Sequence, residues 1–133
     1  MGVMQLSLEW PVIVTRVGGQ PTMEEFDAYL DSIDNQVLAA QRPHGYLIVV
    51  DEGRGYGREG RQRHVKWQAE RRDVLNQYSV GTAMVMPQIS MFMRFALSTL
   101  LALMGDSAQE TKLFDNELEA RSWIESRISK RAA

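Results

Sequence analysis

The 133-residue chain has no cysteine. That absence excludes disulfides, thiolate metal sites and a cysteine nucleophile, and it fits a reducing compartment. Histidine is scarce: His44 and His64 stand in different segments, without the spacing of a metal-binding pair. Serine and threonine are missing from the whole of residues 46–67. Net charge is small, at −2, so no global field pulls the chain toward nucleic acid or a membrane surface. Long hydrophobic runs are also lacking. The longest, residues 89–104, would span roughly 24 Å as a helix, short of a ~30 Å bilayer core, and Arg94 interrupts it. The start, Met1-Gly2-Val3-Met4, has no basic segment leading into an apolar one, so no signal peptide is expected. No nucleophile elbow, P-loop lysine or HExxH motif occurs. The expectation is a cytoplasmic, non-enzymatic protein without a metal or other cofactor, without stable membrane insertion, and with no nucleic acid among its partners.

Apolar residues make up 44% of the chain and charged residues 24%, the balance of a globular protein rather than a disordered one. The length suits one domain, residues 1–133, with one core. Leu6, Leu8 and Trp10 alternate with polar neighbours, and Val12, Ile13, Val14 and Val17 continue after Pro11, which predicts two extended pieces around a turn. Thr22-Met23-Glu24-Glu25 has the form of a capping box, and Phe26, Tyr29, Leu30, Ile33 and Val37 follow at helical spacing, predicting a helix over 22–40. Residues 46–51 read as a buried strand, 60–78 as a very polar helix, and 81–86 as a short strand stopped by Pro87. Residues 89–104 read as an apolar helix and 111–114 as a last strand. A final helix is capped by Asp115 or Asn116 and carries Leu118, Ala120, Trp123, Ile124 and Ile128. The order β-β-α-β-α-β-α-β-α implies a single α/β domain. Its sheet is mixed but mostly parallel, with about five strands and four helices, and the first strand is the antiparallel one.

Three features carry more than packing information. The central strand ends in Asp51 and runs into a glycine ladder, Gly53, Gly55, Gly57 and Gly60, threaded with arginines. Gly55-Tyr56-Gly57-Arg58-Glu59-Gly60 matches G-x-G-x-x-G by letter, but the next strand ends at Met86-Pro87 instead of the acid that would bind a ribose. Nucleotide or anion binding by the glycine loop 53–60 is therefore an alternative to a plain surface loop. Charge is segregated as well. Arg54, Arg58, Arg61, Arg63, Lys66, Arg71 and Arg72 face only Glu59 and Glu70 in their segment. The first helix carries Glu24, Glu25, Asp27, Asp31 and Asp34 without a base. Such segments either pair within the domain or orient a partner. Finally, the 89–104 helix leaves only Ser90, Arg94 and Ser98 as a polar stripe. Its surplus apolar surface, with Met91, Phe92, Phe95, Leu97 and Leu101, is either core, a homodimer contact, or a site for a lipid or other apolar ligand.

Gly19-Gln20-Pro21-Thr22-Met23-Glu24-Glu25, the strand Leu47–Val50 closing in Asp51, and Leu113-Phe114-Asp115 followed by Glu119-Ala120 and Trp123-Ile124 resemble, in this order, the STAS-like bacterial domains. The likeness is to the branch of the sporulation anti-sigma-factor antagonist. The resemblance implies the fold and a regulatory role in protein–protein interaction, with a protein partner docking on the loop after the central strand. On that basis Asp51, Arg54, Gly55, Tyr56, Gly57, Arg58 and Arg61 are the candidate contact residues, and no catalytic residue is assigned. The family switches by phosphorylation of a serine or threonine at the start of the following helix. Asp51-Glu52-Gly53-Arg54-Gly55-Tyr56-Gly57 offers neither, so that chemistry does not carry over.

Overall fold

A computed structural model describes residues 4–52, 57–86 and 110–132. Five strands form one sheet in the order β1-β2-β3-β4-β5: β1 (Met4–Glu9), β2 (Val12–Gly18), β3 (His44–Glu52), β4 (Ser79–Val85) and β5 (Thr111–Phe114). β1 pairs antiparallel with β2, Met4 opposite Val17 and Glu9 opposite Val12, and the two join through a cis Trp10–Pro11 peptide. The remaining pairs are parallel. Among the described residues the α-helices are α1 (Met23–Ser32), α2 (Gly57–Glu70), α3 (Arg72–Tyr78) and α4 (Glu117–Ala132). The α/β class, the mixed and mostly parallel sheet, and the order of its strands along the chain match the sequence reading.

Strand alternation splits the core in two. On one face Ile13, Val17, Tyr46, Ile48 and Val50 pack against Phe26, Leu30 and Ile33 of the first crossover and Trp67 and Leu75 of the second. Crossovers of one hand that advance in one direction across a sheet leave their helices on the same side. On the other face Val12, Val14, Leu47, Val49, Ala83 and Val85 meet α4 through Ala120 and Ile124. β3 is buried from His44 to Val50, which explains why it reads as an unbroken apolar run rather than an alternating one.

Gly45 sets how closely α4 approaches. A Cβ there would sit 2.5 Å from Ile124 Cγ2 and 3.0 Å from Val80 Cγ2, so only glycine fits. α4 is also tied down by arginines. Arg127 donates to the Val80 carbonyl at 2.7 Å, and Arg131 donates to the carbonyls of Ser79 (2.7 Å) and Asn76. Arg16 of β2 grips Glu117 with both terminal nitrogens, at 2.7 and 3.1 Å, and Arg121 reaches Glu9 of β1 at 2.8 Å.

The capping box forms as its spacing predicts: Thr22 Oγ1 accepts from the Glu25 amide and Glu25 Oε1 accepts from the Thr22 amide, both at 3.1 Å. The helix it starts differs from the predicted 22–40 span. It loosens to a π-turn over Ile33–Val37 and tightens to a 3₁₀ turn over Leu38–Ala40, ending on Gln41 in the left-handed region (φ 52°). The change of pitch lets Ile33, Val37 and Leu38 all face the sheet. The predicted 60–78 helix is likewise two helices, broken at Arg71. The Arg71 amide donates to the Gln68 carbonyl at 3.1 Å, and the Trp67 carbonyl it would have served takes Arg71 Nη1 instead, at 3.2 Å. The helix expected over 89–104, with Met91, Phe92, Phe95, Leu97 and Leu101, lies outside the described residues.

Candidate functional site

In a parallel sheet, the loops leaving the C-terminal strand ends are the natural place for a binding surface. Here the junction is β3 into α2. Of the residues the sequence singles out there, Arg54, Gly55 and Tyr56 lie outside the described residues, and Gly57 opens α2. Arg58 and Arg61 stand exposed one turn apart on α2. Asp51 is exposed at the end of β3, but alternation puts it on the α4 side of the sheet with Leu47 and Val49. Its field reaches Arg16, whose pKa is raised first by the hydrogen-bonded Glu117. Asp51 and the α2 arginines thus belong to opposite layers, and the structure does not join them into one cluster.

α2 is half inserted. Gly60, Trp67 and Gln68 turn inward with His64, while Arg58, Arg61, Val65 and Lys66 face out. Its basic charge is divided in the same way. Arg63 Nη1 binds Asp27 of α1 with both carboxylate oxygens, at 2.5 and 2.6 Å. Arg71 holds Asp34 through Nε at 2.5 Å and Nη2 at 2.7 Å, with its guanidinium 4.8 Å above the Trp67 ring. Part of the segregated charge in the sequence is therefore an internal zipper between two helices 36 and 37 residues apart in the chain. Arg58 and Arg61 are not in those pairs, and Val65 beside them is 41% exposed.

Beneath α2 lies a polar seam that sequence reasoning misses. His44, a turn residue by its position before Gly45, is fully buried at the start of β3. Its Nδ1 meets the Arg42 carbonyl at 2.8 Å and its Nε2 meets the Tyr46 hydroxyl at 2.9 Å. A carbonyl only accepts, so Nδ1 carries the proton and the Tyr46 hydroxyl donates to Nε2. Burial lowers the His44 pKa and raises that of Tyr46 far above its ordinary value. Thr15 and Tyr29 share a buried hydrogen bond of 2.8 Å. His64 lies between Phe26 and Trp67, with ring centroids 6.3 and 6.0 Å away. The protein packed around its ring pushes its pKa down to about 4. The cause is desolvation. Tyr29, Tyr46, Thr82, His64 and Trp67 line a small cavity between α1, α2 and the sheet. Only the alternation of β3 hints at this seam, by placing His44 and Tyr46 on one face.

Among the described residues no group of three His, Cys, Asp or Glu is placed to hold a metal ion, and no helix is long and apolar enough to cross a membrane. The cavity has room for little more than a water molecule and cannot take an acyl chain.

Residues 12–125 match the profile of the family described as SpoIIAA-like. No curated protein matches the chain significantly. Among solved structures, the chain is similar to an uncharacterized protein from the DUF3478 family with a SpoIIAA-like fold, from Shewanella loihica PV-4. The TM-score is 0.65 at 13% identity, and the match covers 91% of each chain. At that identity the likeness concerns the fold alone.

Proposed function

The chain belongs to the SpoIIAA-like family, and we propose that it is a non-enzymatic docking domain of a cytoplasmic regulatory pathway, gripped by a protein partner on the outward face of α2 and the turn that enters it. The observation that carries this reading is the division of charge on α2. Arg63 and Arg71 are consumed by Asp27 and Asp34, whereas Arg58 and Arg61 are exposed beside a half-exposed Val65. Arginine next to apolar surface is the composition of a protein-binding hot spot, and two guanidiniums one turn apart suit carboxylates on the partner. The family includes anti-sigma-factor antagonists. With no serine or threonine between residues 46 and 67, docking on this segment is not gated by phosphorylation of those residue types there.

The test compares the wild-type protein with Arg58→Glu/Arg61→Glu in crosslinking and affinity capture from its own cells, with thermal unfolding to verify the fold. The reading expects a specific captured protein, weakened by added salt and lost in the variant, while the unfolding temperature holds. Equal capture by a folded variant refutes it. Native mass spectrometry of the same preparation reports self-association and any co-purified apolar ligand or nucleotide, the outcomes that favour the other readings of the sequence.

A further inference from the structure

We propose that the cavity between α1, α2 and the sheet is a built site for one ordered water molecule, which accepts a hydrogen bond from the Trp67 indole and donates one to the Tyr46 hydroxyl oxygen. Trp67 is 6% exposed, and its Nε1 is fully buried with no hydrogen-bond partner in the protein. A buried N–H left in that state has lost its water without gaining an acceptor, so native structures rarely tolerate one. The same side chain lines the cavity with Tyr29, Tyr46, Thr82 and His64.

The hydrogen-bond inventory selects the occupant. Indole is a donor only. The Tyr46 proton is committed to His44 Nε2, because His44 Nδ1 must donate to the Arg42 carbonyl. The Tyr46 oxygen is therefore left as an acceptor. A molecule between the two must accept from nitrogen and donate to oxygen, which water does. Among the described residues no carboxylate, lysine or arginine lines the cavity, so a simple ion there would be desolvated without a counter-charge from them. An apolar atom would leave the indole unpartnered. The space suits one water.

A high-resolution crystal structure of the full chain tests this. The expected result is a density peak within ~2.7–3.2 Å of Trp67 Nε1 that also contacts the Tyr46 oxygen. Oxygen-17 relaxation dispersion in solution should count one long-lived internal water fewer in Trp67→Phe than in the wild type. An empty cavity in the wild-type map, or a peak out of reach of Nε1, overturns the proposal. So does a folded Trp67→Phe variant that keeps the water at full occupancy. If that variant does not fold, the wild-type map decides.

Discussion

Arg71→Ala should be among the most damaging single changes to a charged residue of this domain, because one side chain performs three tasks at the break between α2 and α3. Its two-point contact with Asp34 is partly buried, both side chains being under a third exposed. Such a pair exceeds the ~0–1 kcal/mol of an exposed one. Its Nη1 serves the Trp67 carbonyl, whose loss of a donor costs about 1–3 kcal/mol. The guanidinium over the Trp67 ring adds about 0.5–1 kcal/mol. These contributions share geometry and do not add fully, so the total expected is about 2–4 kcal/mol. Urea denaturation at neutral pH reads it as a lower midpoint at unchanged slope. Asp34→Ala should cost less, because the carbonyl keeps its donor, and the double mutant should show coupling between the two sites. Arg71→Lys should recover less than half of the loss, since an ammonium cannot reproduce the planar fork. A loss below about 1 kcal/mol for Arg71→Ala, or strict additivity with Asp34→Ala, would refute the account of this junction.

Gly45→Ala should destabilise by about 1–3 kcal/mol, since its Cβ meets the Ile124 and Val80 side chains on a fully packed face. Pairing it with Ile124→Ala, which removes the Cγ2 and Cγ1 atoms that the new Cβ meets, should cost less than the sum of the two single changes, and denaturation of the three variants checks this. Stability should also fall on acidification from pH 6.5 toward 4. His44 and His64 are depressed below 6.5 in the folded chain, the latter to about 4, so the unfolded chain binds more protons in that window. Each contributes at most about 1.4 kcal/mol per pH unit. Glu9 and Glu117, depressed by Ser7 and Arg16 respectively, add to the decline only below about 4.5. His64→Gln should flatten the profile, and a flat wild-type midpoint between pH 6.5 and 5 would contradict the neutral state of both histidines.

The elements legible in the sequence are those written in local chemistry. The Thr22–Glu25 box, the apolar run of β3, and the Asn116 cap, whose Oδ1 accepts from the Glu119 amide at 2.9 Å, each need only residues a few positions apart. The features that escape are those decided by distant neighbours. The pitch change at Ile33–Val37 accompanies the burial of Ile33, Val37 and Leu38 in a core built largely by other elements. The break at Arg71 depends on a carboxylate 37 residues away. His44 resembles a turn residue beside Pro43 and Gly45 until pairing with β2 and β4 buries it. The same holds for the candidate site: composition shows that bases and acids are segregated, but only the packing of α1 on α2 shows which arginines are already occupied. The opposite orientation of Asp51 and the α2 face follows from period-2 alternation and was there to be read.

The division of labour between the two sheet faces bears on how the protein is made. One face is covered by helices that leave the ribosome between the strands they join. Among the described residues, the other is packed by residues 117–132, which follow every strand of the sheet. During translation Val12, Val14, Leu47 and Val49 therefore lack their contacts with Ala120 and Ile124 until that segment has been made. Over that interval the nascent chain presents a sticky, half-finished surface, a natural substrate for chaperones.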